Sequence, residues 1–317
     1  MAHSTARFIS YDLRPAKQTE RRILIDVLRT SGECVLPIPT YSYVGMGAIR
    51  FYDFLLMHKY LGINKMVSLE HDSSAFDRAC FNNPFEFISV KQQETGEFIE
   101  EFESRQPTIF WFDYDGGISP HIIRDISSLA PKVALGDFFF VTACGLPPRV
   151  IEKSSMSDRL VWVQDSMPEF AGTLTAKDLE NASFPGAVHK ILYSAFRSAF
   201  AMRRDGRFRT FFQVKYSDSI VMVTVGGALL SDGQWSAFAD RLAGGMPFFT
   251  NNEDKIYKIR SFNLTERERA LFDRAATTKR KRSAARTHLS KLGFRDIEIE
   301  AYRDLLRYLP RYVETIV

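Results

Sequence analysis

Two glycines stand where an apolar run gives way to a helical pattern, in Tyr43-Val44-Gly45-Met46-Gly47-Ala48-Ile49-Arg50. Glycine lets backbone come close to a ligand, and a helix opening there offers unpaired N–H groups. Roughly twenty residues on, the run Val67-Ser68-Leu69 ends in Glu70, with His71 beside it. A glycine turn followed at that spacing by a strand-end acid reads as a nucleoside site, the acid accepting from ribose hydroxyls. A third group, Asp113-Tyr114-Asp115-Gly116, follows a buried-looking strand. A carboxylate placed there could orient or deprotonate a nucleophile if burial raised its pKa. One of the two aspartates is expected to face the ligand. Paired carboxylates could also hold a divalent cation, but no third ligand is evident, so no metal is expected. The sequence has no G-x-S-x-G elbow and no P-loop, which removes serine-hydrolase and P-loop phosphotransfer readings.

Such residues need a scaffold that brings strand ends to one edge. Apolar runs at 41–46, 66–69, 87–90, 108–112 and 137–143 alternate with helical patterns at 49–60, 73–81, 96–104 and 119–130. Strands apolar on both faces, alternating with helices, predict a parallel sheet covered on both sides. Right-handed crossovers then make it doubly wound α/β. A helix is predicted over 19–29 and a long one over 184–203. The runs 208–216 and 220–229, joined by Ser217-Asp218-Ser219, predict an antiparallel hairpin closing the sheet. Segment 146–183 is read as a lid or substrate region. Residues 231–317 are read as a smaller, mainly helical C-terminal appendage, separate from a domain over 1–230.

Composition sets the outer limits. The 317 residues are 45% hydrophobic and 25% charged, a globular balance that excludes disorder and leaves room for about two domains. The net charge of +4 is too small to indicate nucleic acid by itself. Cys34, Cys80 and Cys144 are odd in number and far apart, so neither a disulfide framework nor a zinc site is expected. With no apolar leader and no run long enough to span a bilayer, a cytoplasmic location is expected.

Nicotinamide and S-adenosylmethionine enzymes share this architecture. The nicotinamide fingerprint would place a third glycine where Arg50 stands. The terminal hairpin favours S-adenosylmethionine. At this point the chain resembles class I S-adenosylmethionine-dependent methyltransferases, and more narrowly a bacterial O-methyltransferase-like group, over about residues 8–230. The stretches that carry the resemblance are residues 13–21, 43–54, 68–72 and 112–116. The resemblance implies a Rossmann-like fold, S-adenosyl-L-methionine as cofactor and methyl transfer to an acceptor that the sequence does not identify. It implies Gly45 and Gly47 under the methionine part of the cofactor, Glu70 at the ribose and Gln93 beside the adenine, and His71, as Glu70's neighbour, falls at the same ligand edge. Asp113, Tyr114 and Asp115 would lie next to the methyl group as the catalytic set. Arg14 or Lys17 would pair with the cofactor carboxylate. Two positions depart from the family pattern: Tyr43 stands where an acid usually precedes the first glycine, and Ile49 where a third glycine stands. Asp53 or Asp115 is the expected substitute for that acid.

Basic and aromatic residues interleave over 197–215, with Arg203 and Arg204 among Phe200, Phe208, Phe211 and Phe212, and a basic run follows at Lys279, Arg280, Lys281 and Arg282. If these share a face they could contact phosphates and stack on bases. With Tyr43, they give the alternative reading: a catalytically degenerate fold that binds nucleic acid or a protein partner, as in a bacterial defence or modification system.

Overall fold

The computed structural model describes residues 14–310 apart from 33, 36, 244, 245, 247, 251 and 279–282. The basic run at 279–282 therefore lies outside the described residues. Apolar runs flanked by turn residues become β1 (Ser42–Gly45), β2 (Met66–Leu69), β3 (Ile88–Lys91), β4 (Thr108–Gly117) and β5 (Phe138–Cys144), followed by β6 (Arg207–Ser217), β7 (Val221–Leu230) and β8 (Tyr257–Lys258). They form one sheet in the order β3-β2-β1-β4-β5-β7-β6-β8. The first five strands are mutually parallel. β7 runs antiparallel between β5 and β6, which is the closing hairpin expected from the sequence.

Helices α1 (Pro15–Ser31), α2 (Tyr52–Leu61) and α3 (Ser73–Asn82) precede α4 (Thr95–Glu101), α5 (Pro120–Leu129), α6 (Met156–Ser166) and α7 (Phe184–Ala199). The alternation of each strand splits the core in two. Tyr43, Ile109, Trp111, Phe138 and Phe140 meet Ile23, Leu24, Leu28 and Phe54 of α1 and α2 on one face. On the other face, Val44, Phe110, Phe112, Phe139 and Val141 meet the apolar stripes of α4, α5 and α7. The C-terminal part contributes to both sheet and appendage. α8 (Asp232–Ala243), β8 and the residue after it join the first core through Phe238, Leu242, Tyr257 and Ile259. α9 (Glu266–Thr277), α10 (Ala284–Lys291) and α11 (Asp296–Leu305) enclose a small cluster of their own around Phe272, Leu289 and Tyr302.

Several boundaries differ from the sequence expectation. α2 begins at Tyr52 rather than Ile49, because Ala48 (φ 46°) and Phe51 (φ 51°) take left-handed backbone that interrupts any helix. α3 is capped by Asp72, whose carboxylate accepts from the Ser74 and Ala75 N–H groups. β4 continues five residues past Phe112, although its register with β5 breaks between Asp113 and Gly117.

Candidate functional site

The parallel strands deliver their last residues to one edge, where β1, β2 and β4 end. Glu70 is the residue just beyond β2 and is only 8% exposed. It accepts the Asp72 N–H at 3.1 Å, which holds its carboxylate in the turn. Burial pushes its pKa up, and Asp115 across the edge adds to that. His71 is exposed, with Nδ1 3.8 Å from Glu70. Asp115 is exposed on the outer end of β4. Glu70, His71 and Asp115 thus lie at one edge. Gln93 lies past β3 and donates to Glu101 at 2.9 Å.

The glycine turn has a packing explanation as well as the ligand one. Neither Gly45 nor Gly47 takes positive φ. A Cβ on Gly45 would meet Tyr43 Oη at 2.5 Å, because the Tyr43 ring lies back over its own strand. A Cβ on Gly47 would stand 2.7 Å from Ser68 Oγ and 2.9 Å from Phe51 and Phe54. Ser68 Oγ accepts the Gly47 N–H at 3.1 Å, tying the turn to β2. Both glycines make room for side chains of the protein itself.

Beneath this turn, α1 carries a buried polar stripe. Lys17, Glu20 and Arg21 fall at helical spacing on the face that continues through Leu24 and Leu28. Lys17 Nζ and Arg21 Nη2 each lie 2.7 Å from Asp113 Oδ2. Arg21 also pairs with Asp53 through a second nitrogen, donates to Glu20 at 2.9 Å and stacks on Trp111 at 4.8 Å. Glu20 accepts from Thr224 Oγ1, which meets Thr142 at 2.8 Å, and Thr142 in turn accepts from Trp111 Nε1 at 3.0 Å. The helix start is fixed from 200 residues away: Asp218, in the β6–β7 turn, accepts from the Ala16 and Lys17 N–H groups at 2.9 and 3.0 Å. Arg14 sits at the N-cap without capping through its own side chain. At the other end, Tyr308 donates to Asp26 at 2.6 Å and Arg307 pairs with the same carboxylate at 2.7 Å.

These contacts change the roles open to the predicted residues. Burial alone would raise the Asp113 pKa, but Lys17 and Arg21 outweigh it and hold the carboxyl below the ordinary range. The raised pKa that a base would need is therefore absent at Asp113. Tyr114 points to the opposite face, where its hydroxyl donates to Asp125. Burial and that carboxylate push its pKa far up, so it remains a neutral donor. Lys17 is engaged by Asp113. Asp53, one expected substitute for the missing acid, is bound to Arg21. Sequence reasoning missed Glu20, Arg21 and Asp218 as site residues. The signal for the first two was present: charged residues at positions 17, 20 and 21 extend an apolar stripe, so they had to be buried and paired.

The basic and aromatic segment is largely internal. Phe200, Phe211 and Phe212 are at most 5% exposed, and Phe208 stacks between Phe196 and Phe200, so these rings offer no platform for bases. Arg203 caps the end of α5 by donating to the Ala130 and Val133 carbonyls and pairs with Asp205. Arg204 is exposed. Among the described residues no cluster of three or more His, Cys, Asp or Glu could hold a metal, and no helix is long and apolar enough to cross a membrane.

No curated protein matches the sequence. Among solved structures, the O-methyltransferase from Bacillus cereus in complex with SAH is 11% identical, with 71% of this chain and 86% of that chain covered and a TM-score of 0.42. Trm1 from Pyrococcus horikoshii with S-adenosyl-L-methionine is 10% identical, with 69% and 57% covered and a TM-score of 0.45. The family model described as "Putative O-methyltransferase" matches residues 9–317, so it takes in the C-terminal helices as well as the sheet. The chain belongs to that family.

Proposed function

We propose that this protein binds S-adenosylmethionine at the edge formed by β1, β2 and β4 and transfers its methyl group to an acceptor hydroxyl. The observation that carries the reading is Glu70: a buried carboxylate just past β2, at the edge where β1 and β4 also end, in a sheet of order 3-2-1-4-5-7-6-8. The donor set fits the cofactor. Glu70 has the acceptor oxygens that two ribose hydroxyls require. His71 flanks it, and Gln93 lies on the side where an adenine would extend. When bound, the cofactor supplies an electrophilic methyl group on a sulfonium. The chain's own part is positioning. Asp115, at the open end of β4, orients the acceptor hydroxyl. Asp113 stays ionised and holds α1 in place through Lys17 and Arg21. In the same proposal the appendage is α9–α11, braced on α1 through Tyr308 and Arg307, while α8 and β8 go with the sheet.

The test is calorimetric titration with S-adenosylmethionine and, separately, NADH, on the wild type and on Glu70→Ala. Saturable binding of S-adenosylmethionine alone is expected. Loss of two hydrogen bonds to a carboxylate should weaken it by about 10- to 100-fold in the variant. Unchanged affinity in a folded Glu70→Ala protein, or binding of NADH in preference, would sink the reading.

A further inference from the structure

Among the described residues, the buried network under α1 holds three carboxylates, Glu20, Asp53 and Asp113, against two cations, Lys17 and Arg21. One oxygen of Asp113 takes both cations while the other, Oδ1, is buried with no hydrogen-bond partner. Tyr43 Oη is likewise buried without a partner. The two groups belong to one face. Gly45 and Trp111 are register partners on β1 and β4, Tyr43 lies two residues before the first and Asp113 two residues after the second. The Tyr43 ring runs over Gly45 toward that end of the strand, and Asp53, Arg21 and Asp113 are its charged neighbours. An ionised oxygen and a hydroxyl both left unsatisfied on one buried face are costly unless a partner arrives.

We propose that Asp113 Oδ1 and Tyr43 Oη form the binding site for a primary ammonium group, the third cation of this network, and that in the bound state it is the amino group of the cofactor's methionine part. The assignment rests on the proposed function above. It gives Tyr43 a positive role where the family pattern has an acid, and it moves the carboxylate from β1 to β4. It also replaces the expected use of Asp53 and Asp115. Asp53 is bound to Arg21, and Asp115 stands at the outer edge beside Glu70.

The charge imbalance has a second consequence. Glu20 is fully buried, and burial pushes its pKa up to about 7 against the opposing pull of Arg21. The groups facing it are Arg21 and Lys17 from its own helix, Asp113 from β4, Tyr216 from β6 and Thr224 from β7. A cation entering beside Asp113 favours ionised Glu20, so binding at neutral pH releases part of a proton.

The experiment compares S-adenosylmethionine with 5′-methylthioadenosine, which keeps the nucleoside and sulfur but lacks the amino-acid part. Tyr43→Phe removes a hydroxyl that has no partner, so the free protein should fold unchanged. It is expected to weaken S-adenosylmethionine about 10-fold while leaving methylthioadenosine within about twofold. Asp113→Asn should show the same selectivity with about a 100-fold loss. Titration in phosphate and in Tris should reveal proton release with S-adenosylmethionine and none with methylthioadenosine. If Tyr43→Phe binds S-adenosylmethionine as the wild type does, or weakens both nucleosides equally, the ammonium site is wrong while the proposed function stands. If the wild type binds neither nucleoside, both are overturned.

Discussion

Replacing Gly45 by alanine separates its packing role from a ligand role. A Cβ there would lie 2.5 Å from Tyr43 Oη, 2.8 Å from Cζ and 3.1 Å from Cε1. Ordinary contact between such atoms needs about 3.5 Å or more, so the ring must retreat by about an ångström. It has little room to do so: Tyr43 is fully buried and meets the Phe54 ring edge-on at 4.8 Å. Overpacking of this kind costs about 1–3 kcal/mol. Tyr43→Leu removes all three clashing atoms. It is destabilising by itself, but in that background the alanine meets open space and should cost almost nothing. The two changes should therefore couple by about 1–3 kcal/mol in a double-mutant cycle, read by urea unfolding with the emission of the buried Trp111 as one probe. Additivity to within about 0.5 kcal/mol would refute the packing account. If Gly45→Ala were also fully stable yet failed to bind S-adenosylmethionine, the glycine would serve ligand approach after all.

Two further outcomes follow from the same contacts. Glu20 has its pKa raised from 4.5 to about 7, so the native state holds a proton that the unfolded chain has released. The stabilisation is present below about pH 4.5 and lost as pH rises to about 7. Glu20→Gln should flatten that slope and leave the protein more stable by up to roughly 3 kcal/mol at pH 8, and an unchanged pH profile would show that Glu20 is not the group responsible. Asp218→Ala removes the acceptor from the first amides of α1 and should cost about 1 kcal/mol. Hydrogen exchange should then speed up at Ala16 and Lys17 ahead of the rest of the helix, and full protection there would mean that the turn is not what fixes the helix start.

The sheet was legible because each parallel strand is apolar on both faces and each crossover helix has one apolar stripe. The hairpin was legible from Ser217-Asp218-Ser219 between two β-rich runs. Glu70 could be picked out as a candidate because a single acid at a strand end needs no distant partner to be recognised. The ion network could not be read in the same way. Its members come from α1, α2, β4 and β7, and Asp218 reaches α1 across about 200 residues of chain. The aromatic segment misled for a related reason. Alternation of Phe with Arg fits a strand whose rings are buried as well as it fits a stacking surface, and only the packing of Phe208 against α7 decides between them.

Tyr43 shows why a motif followed along one strand misjudges a site. In sequence it is an acid replaced by an aromatic, which suggests lost function. In the sheet, the residues that matter to one another are those on a shared face of neighbouring strands, and there Tyr43 lies on the same face as Trp111 and Asp113. A negative charge is present on that face at Asp113, held ionised by two cations of α1. A chain that had merely lost its acid would have no reason to keep an unpartnered carboxylate oxygen buried beside a buried, unpartnered hydroxyl, because filling the space with apolar atoms would be cheaper. Their joint presence is what the proposed ammonium site rests on, with α1 carrying the cations that keep the Asp113 carboxylate charged.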